Sequence, residues 1–312
     1  MSREGGEAEY EALWRGLAVS ELGRDVTRVH GPDAERYLQG QLSQDIAKLA
    51  PGGWAWALLL QPQGRLVALL RCSRLADDEF LLDTDSEMSD AVVGRLLRFR
   101  LRTKAEIEAL PWRALAVRGR ADLLGAQAQG VVGDSMGNVT VPFSWGGLTG
   151  YDVVGPSPAA PGGAIEAAQE LYEAARIVAG FPKHGLELDE RTIPAEAGLV
   201  AAAVSFTKGC YTGQELVARI DSRGSNVPRH LRGFLLSGPC RASDALLASA
   251  SPDDAREVGR LTSVALSPSL GWVALGYAAR AVQVGDVLTV QSSSPQAGPV
   301  TAQVHHLPLR EQ

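Results

Sequence analysis

The stretch GWAWALLLQPQGRLVALLRCS, residues 53–73, restricts the fold more than any other part of the sequence. Two apolar runs flank Pro62-Gln63-Gly64, where Pro and Gly supply the fixed and the left-handed backbone angles of a tight turn. So short a connection joins antiparallel strands, because a parallel pair needs a crossover of about a dozen residues or more. A doubly wound parallel sheet is therefore not expected. On one side, VTRVHGPDAERYLQGQLSQDI (26–46) reads as a strand, a turn at Gly31-Pro32 and a helix. Asp33 is the expected cap, and Tyr37, Leu38 and Leu42 form the apolar stripe. On the other, EFLLDTD (79–85) reads as a strand and SDAVVGRLLRFRL (89–101) as a helix. Arg95, Arg98, Arg100 and Arg102 suit that helix's C-terminus. AEIEAL and WRALAVRG follow as strands, and the order predicts an α+β fold. AIEAAQELYEAARIVAG (164–180) predicts a long helix closed at Gly180, with Pro182 beyond it. Asp83 and Asp85 share a strand face and are expected at a solvated edge. Trp54 and Trp56 share another and are expected in the core or a pocket wall.

From about residue 231 the pattern changes. LRGFLLSG, EVGRLTSVALS, GWVALGYAAR, DVLTVQS and PVTAQVHHLP are short alternating runs separated by Gly, Pro and Ser. They predict a small all-β barrel or sandwich. The 312 residues thus divide into a flexible, acidic leader (1–16), an α+β region (17–230) and a β unit (231–312). The formal charge of -6 provides no global basic field, and no direct nucleic-acid partner is expected. Apolar runs such as WAWALLL fall short of the ~20 residues of a membrane span, and the N-terminus lacks a signal-peptide pattern. No membrane association and a cytoplasmic location are expected. No GxGxxG, Walker A, HExxH, GxSxG or paired CxxC occurs. His305 and His306 are adjacent in a strand pattern and point to opposite faces, unlike a metal pair.

The three cysteines, Cys72, Cys210 and Cys240, form no disulfide framework and suit a reducing compartment. Cys210 lies in TKGCYTGQELVARIDSRG, residues 207–224. Thr212 and Glu215 form a T-x-x-E capping box, which predicts a short helix from about Gly213 with Thr212 as N-cap. Cys210 then precedes a helix N-terminus and stands beside Lys208, and both favour the thiolate. Gly209 and Gly213 permit unusual backbone angles and close approach. The residues alone leave two readings open, a poised thiol and a buried structural cysteine. A permanent iron–sulfur cluster needs about four ligands, which three scattered cysteines do not supply. No permanently bound metal is expected, while Cys210 as a transient metal ligand stays open. Arg219, Arg223, Arg229, His230 and Arg232 face only Asp221 nearby in sequence. They read as a solvated basic face or as an anion site.

KGCYTGQE (208–215), followed by VAR and RG, resembles the signature of the YgfZ family of folate-binding proteins. That family is related to the aminomethyltransferase (T-protein) of the glycine cleavage system. RYLQGQLSQD (36–45), LQPQGRL (60–66), RFRLRTKAEIE (98–108), RIVAGFPKHGLELDERTIPAEAGL (176–199) and VGRLTSVALSP (258–268) extend the resemblance over about residues 20–310. It implies a three-lobed aminomethyltransferase-like fold around a central cavity, with a C-terminal β-barrel. It implies tetrahydrofolate or a related folate in that cavity, and a role in iron–sulfur cluster assembly or maintenance that indirectly supports cluster enzymes such as tRNA-modifying ones. Iron–sulfur client or assembly proteins are the implied partners. Cys210 is the implied key thiol, with Lys208, Gly209, Tyr211, Gly213, Gln214 and Glu215 completing the motif. Folate contacts are expected from Arg219, Arg223, Gln41 and Trp56. Two departures stand out. Val67 and Ala68 replace the transferase's acidic pair, and Val178 replaces the acid that holds its pterin. Such side chains shuttle no proton, so aminomethyl transfer is not expected at those positions. Two alternatives remain: a one-carbon transferase with Glu215 or Asp221 as a shifted acid/base, and a ligand sensor or scaffold in which Cys210 merely packs.

Overall fold

The computed structural model describes residues 3–222, 224, 226–248, 256–291 and 299–309. The chain opens with helix α1 (Arg3–Arg15), strands β1 (Leu17–Leu22) and β2 (Arg24–His30), and helix α2 (Ala34–Gln41). Next come β3 (Trp54–Leu60), β4 (Leu66–Ala76), β5 (Glu79–Asp85), α3 (Ser89–Arg98), β6 (Glu106–Leu110) and β7 (Arg113–Gly119). Then follow α4 (Ala121–Leu124), β8 (Val132–Gly133), β9 (Val139–Trp145), β10 (Leu148–Gly155), β11 (Ile165–Glu166), α5 (Gln169–Ala179), α6 (Val200–Ala203) and α7 (Gln214–Ser222). The last strands are β12 (Arg229–Leu236), β13 (Ala245–Leu247), β14 (Glu257–Ser267), β15 (Gly271–Ala279), β16 (Val287–Gln291) and β17 (Val300–His305).

They assemble as a five-stranded sheet ordered β3-β4-β5-β2-β6, a six-stranded sheet ordered β11-β1-β7-β10-β9-β8, and a closed barrel ordered β12-β15-β14-β13-β16-β17. The α+β class, the antiparallel hairpin and the C-terminal barrel match the sequence expectation. In the hairpin, Trp54 faces Ser73 and Leu58 faces Leu69. Phe234, Leu246, Leu261, Ala274 and Val304 fill the barrel. One apolar core runs through all three units, with Leu13, Trp56, Phe143, Ile177, Leu231 and Leu275 among its members. No helix among the described residues is long and apolar enough to cross a membrane.

Two expectations need correction. Residues 3–15 are not a flexible leader but helix α1, with Tyr10, Ala12 and Leu13 buried. The sequence signal was the Tyr10, Leu13, Trp14 spacing, a narrow helical stripe inside an acidic segment. The long helix begins at Gln169, not at 164, because Ile165 and Glu166 pair in parallel with Ala18 and Val19 of β1. Its end is as expected: Gly180 has φ +72 and the Gly180 and Phe181 N–H groups return to Ile177 and Arg176 carbonyls.

Candidate functional site

Between α6 and α7 the chain forms a loop pinned across the end of α2. Ser205 N–H donates to the Ser43 carbonyl and Thr212 N–H to that of Gly40. The Ser43 hydroxyl donates to the Ala203 carbonyl at 2.6 Å and accepts from Leu58 N–H at 2.7 Å. Lys208 Nζ donates to the carbonyls of Gln39 and Leu42 at 2.6 Å and of Gln44 at 2.9 Å. These groups lie at the end of α2, where carbonyls lack helical partners and a cation is favoured. The ammonium also sits 5.1 Å from the centre of the buried Tyr211 ring. Burial lowers the Lys208 pKa to about 8, against an opposing pull from Asp45. Lys208 was expected to act on the thiol; all three of its hydrogen bonds go to backbone carbonyls, so its visible work is to hold the loop.

Two glycines join this loop to the tip of the β3–β4 hairpin. Gly213 has φ +85, and a Cβ there would lie 2.6 Å from the Gln61 carbonyl oxygen. Gly64 has φ +78, and its Cβ would lie 2.5 Å from Leu216 Cβ. The LQPQGRL and KGCYTGQE motifs are therefore one packed unit. Helix α7 starts at Gln214, with the left-handed Gly213 before it. The capping box predicted at Thr212 and Glu215 does not form among the described hydrogen bonds; the side-chain contact before the helix is instead Gln214 Oε1 accepting the Tyr211 N–H at 3.2 Å. The Thr212 N–H is already committed to Gly40, which draws the chain toward α2.

Cys210 is exposed on this pinned loop, next to an exposed Gly209. Cys72 is fully buried, and desolvation pushes its thiol pKa far up. Cys240 is half-buried and raised to about 11, by burial first and then by Asp244.

The central cavity, between the two sheets and α5, has a different character. Its volume is about 40 Å³, and Trp56, Phe143, Tyr172, Phe181, Arg118 and Asp152 contribute to its wall. A network of buried charges underlies it. Arg24 donates to Asp83 at 2.6 Å and to Asp85 at 3.0 Å. Arg71 donates to Asp83 at 2.9 Å and to Asp152 at 2.8 Å, and Arg118 Nη1 lies 2.8 Å from Asp152. Asp83 and Asp85 are thus not at a solvated edge; Asp83 is 1% exposed. Burial alone would raise the Asp152 pKa, but Arg118, Arg71 and Arg24 outweigh it and hold the carboxyl below its ordinary range. Sequence reading missed Arg24, Arg71, Arg118 and Asp152. The available signal was charge inside apolar strands, as in LLRCS and YDVVG.

Of the expected folate contacts, only Trp56 reaches the central cavity. Gln41 accepts from Arg95 Nη1 at 3.1 Å beside the loop. Arg219 is exposed on α7, and Arg223 lies outside the described residues. Glu215 and Asp221 are exposed on α7 and line neither this cavity nor the larger one. Arg229 is paired with Glu196 at 3.0 Å and stacked 4.2 Å from the Tyr277 ring, so it is no open anion site. A space of 40 Å³ holds about one water and cannot take a pterin, which calls for a site of ~300 Å³ or more. A second cavity of about 740 Å³ lies between α1, α5 and the β14–β15 turn, lined by Tyr10, Trp14, Val178 and Leu270 among others. Its lining mixes aromatic and aliphatic side chains with the charged Glu7, Glu11 and Arg15, and it includes Val178. Among the described residues no group of three or more His, Cys, Asp or Glu side chains is placed to hold a metal ion.

Comparison with known proteins adds the following. No family model matches the chain. The "Iron-sulfur cluster assembly factor IBA57, mitochondrial" of Mus musculus is 32% identical over 244 residues, 71% of this chain and 66% of that protein. The "tRNA-modifying protein YgfZ" of Enterobacter sp. (strain 638) is 28% identical over 216 residues, 64% of this chain and 65% of that protein. The chain thus spans just under two thirds of these relatives' own length. Glycine cleavage system aminomethyltransferase T from Bartonella henselae superposes with a TM-score of 0.83 at 22% identity, over 98% of this chain and 90% of that one. That likeness establishes the fold: an aminomethyltransferase T architecture closed by a barrel.

Proposed function

This chain belongs to the YgfZ/IBA57 family, and from that membership we propose that it is an accessory factor for assembling or maintaining iron–sulfur clusters, with Cys210 as its working thiol. One observation carries the proposal: Cys210 alone of the three cysteines is exposed, on a loop held by Lys208 and by the Gly213–Gly64 contact. Cys210 Sγ gives up its proton to solvent and donates an electron pair to an iron of a cluster brought by a client or assembly protein. The other ligands come from that partner. Effects on cluster enzymes, tRNA-modifying ones included, are then indirect. Three free cysteines suit a reducing compartment, proposed as the cytoplasm.

Folate binding forms the second part of the proposal, located in the 740 Å³ cavity and not in the central one. Trp14 and Tyr10 would flank the pterin, and the carboxylates of Glu7 and Glu11 would accept its N–H groups. A bound tetrahydrofolate would supply a one-carbon carrier; no step at Cys210 runs through it. Calorimetric titration with tetrahydrofolate should show binding that Trp14→Ala weakens and Trp56→Phe leaves unchanged. The reverse order would return the ligand to the central cavity, and absence of binding would remove folate from the proposal. For Cys210, cells lacking the native gene are complemented with Cys210→Ala. Activity of a cluster-dependent enzyme should fall to the level of uncomplemented cells at unchanged protein abundance; full restoration would contradict the proposed role.

A further inference from the structure

Helix α3 turns Val92 and Leu96 into the core and leaves Ala91, Gly94, Leu97 and Arg98 exposed. Ala91, Gly94 and Arg98 share one face of the helix, with Leu97 beside it. Leu97 is 45% exposed, and Leu101, just past the helix end, is 82% exposed. Neighbouring exposed leucines of this kind are unlike the scattered apolar residues of an ordinary surface. A Cβ at Gly94 would meet nothing within 4 Å. Packing within the chain gives no reason for this glycine, which weakens a helix; close approach of a second backbone does. Arg98, Arg100, Arg102 and Lys104 surround the leucines, and no acid occurs from 95 to 105. Among the described residues Arg98 and Arg102 form no salt bridge. The whole chain carries -6, so this is a basic island.

Building on the cluster-related role proposed for Cys210, we infer that this end of α3 docks an acidic helix of the partner protein. An apolar centre inside a charged rim is the anatomy of a protein interface. Stacking of RNA bases would need a free aromatic ring, and the guanidinium of Arg95 lies over Phe99 at 3.9 Å. An anionic membrane would take up the apolar face of the helix, and here Val92 and Leu96 are already turned into the core. Position supports the same partner. Tyr37 Oη of α2 donates to the Leu96 carbonyl at 2.6 Å, and Arg95 donates to Gln41 at the end of α2. The Cys210 loop grips that same end through Lys208. Both segments are thus anchored on the same helix α2.

The test uses the full chain and three labelled probes: a synthetic helical peptide with glutamates around a leucine stripe, an RNA hairpin, and vesicles of phosphatidylcholine and phosphatidylglycerol. The peptide should bind. Arg98→Glu with Arg102→Glu, and separately Leu101→Asp, should weaken it about tenfold or more. Gly94→Leu should weaken it too without lowering the melting temperature, since the site is open in the isolated protein. Cys210→Ala should bind the peptide like the unchanged protein. In cells the charge-reversed variant should support cluster enzymes poorly while its Cys210 alkylates at the normal rate. RNA or vesicle binding lost on charge reversal, with the peptide unbound, would overturn the inference, as would peptide binding indifferent to all these substitutions. Loss of peptide binding on charge reversal together with full complementation by Cys210→Ala would keep the docking surface and remove the thiol role.

Discussion

Around the central cavity, three guanidinium groups meet three carboxylates inside the protein, and Arg71 reaches from the five-stranded sheet to Asp152 on the six-stranded one. At the cysteine loop a single half-buried cation, Lys208, meets three backbone carbonyls. Both regions use buried positive charge, with opposite results. In the cavity the charges pair with one another across the two sheets and tie two lobes together. In the loop the charge is used up on the backbone, which leaves the neighbouring thiol outside and accessible. Chemistry is therefore assigned to the side chain that the fold leaves uncommitted.

The largest effect should come from breaking the cavity network. Arg71→Ala would remove the bridging cation and leave buried Asp83 with Arg24 alone and buried Asp152 with Arg118 alone, and urea denaturation should show a loss of ~3–5 kcal/mol. Survival of that variant at unchanged stability would mean the charges are not the lock. On the loop side, Gly213→Ala forces a Cβ against Gln61 and a left-handed angle on a side chain, at a cost of ~1–3 kcal/mol. Amide exchange across 205–213 should quicken more than exchange in the barrel. Lys208→Met leaves three carbonyls without their donor and should cost ~1–3 kcal/mol, again with the loosening confined to the loop. NMR titration of Lys208 should give a midpoint near 8, below its ordinary 10.5. Between those values the unfolded chain binds more protons than the folded one, so this group's contribution to stability rises with pH across that window. A midpoint at the ordinary value would show that the three carbonyls offset the whole cost of burial. Arg219→Ala, on an exposed helix face, should change stability by no more than ~0.5 kcal/mol and leave folate titration unaltered.

How much of this was legible in the sequence follows the range of the interactions. The hairpin turn at Pro62-Gln63-Gly64, the left-handed stop at Gly180 and the alternating barrel strands are local patterns, and they read correctly. Cys210 was singled out by its motif, and its exposure fits the poised-thiol reading better than the packed one. The acceptors of Lys208, Gln39, Leu42 and Gln44, were not legible because they lie far back in the chain and only the fold brings them near. Asp83 and Asp85 were misplaced for the same reason: their partner Arg24 lies across the sheet from Asp85, and Arg71 comes from the adjoining strand. Helix α1 was missed because acidic residues hide its narrow stripe.

The contrast between a closed cavity and an accessible thiol is tested most directly by timed alkylation of the folded protein with iodoacetamide, followed by site-resolved mass spectrometry. Cys210 should label in the native state, while Cys72 should label only on unfolding. Cys210 that stays unlabelled until the protein unfolds would contradict the role assigned to the loop.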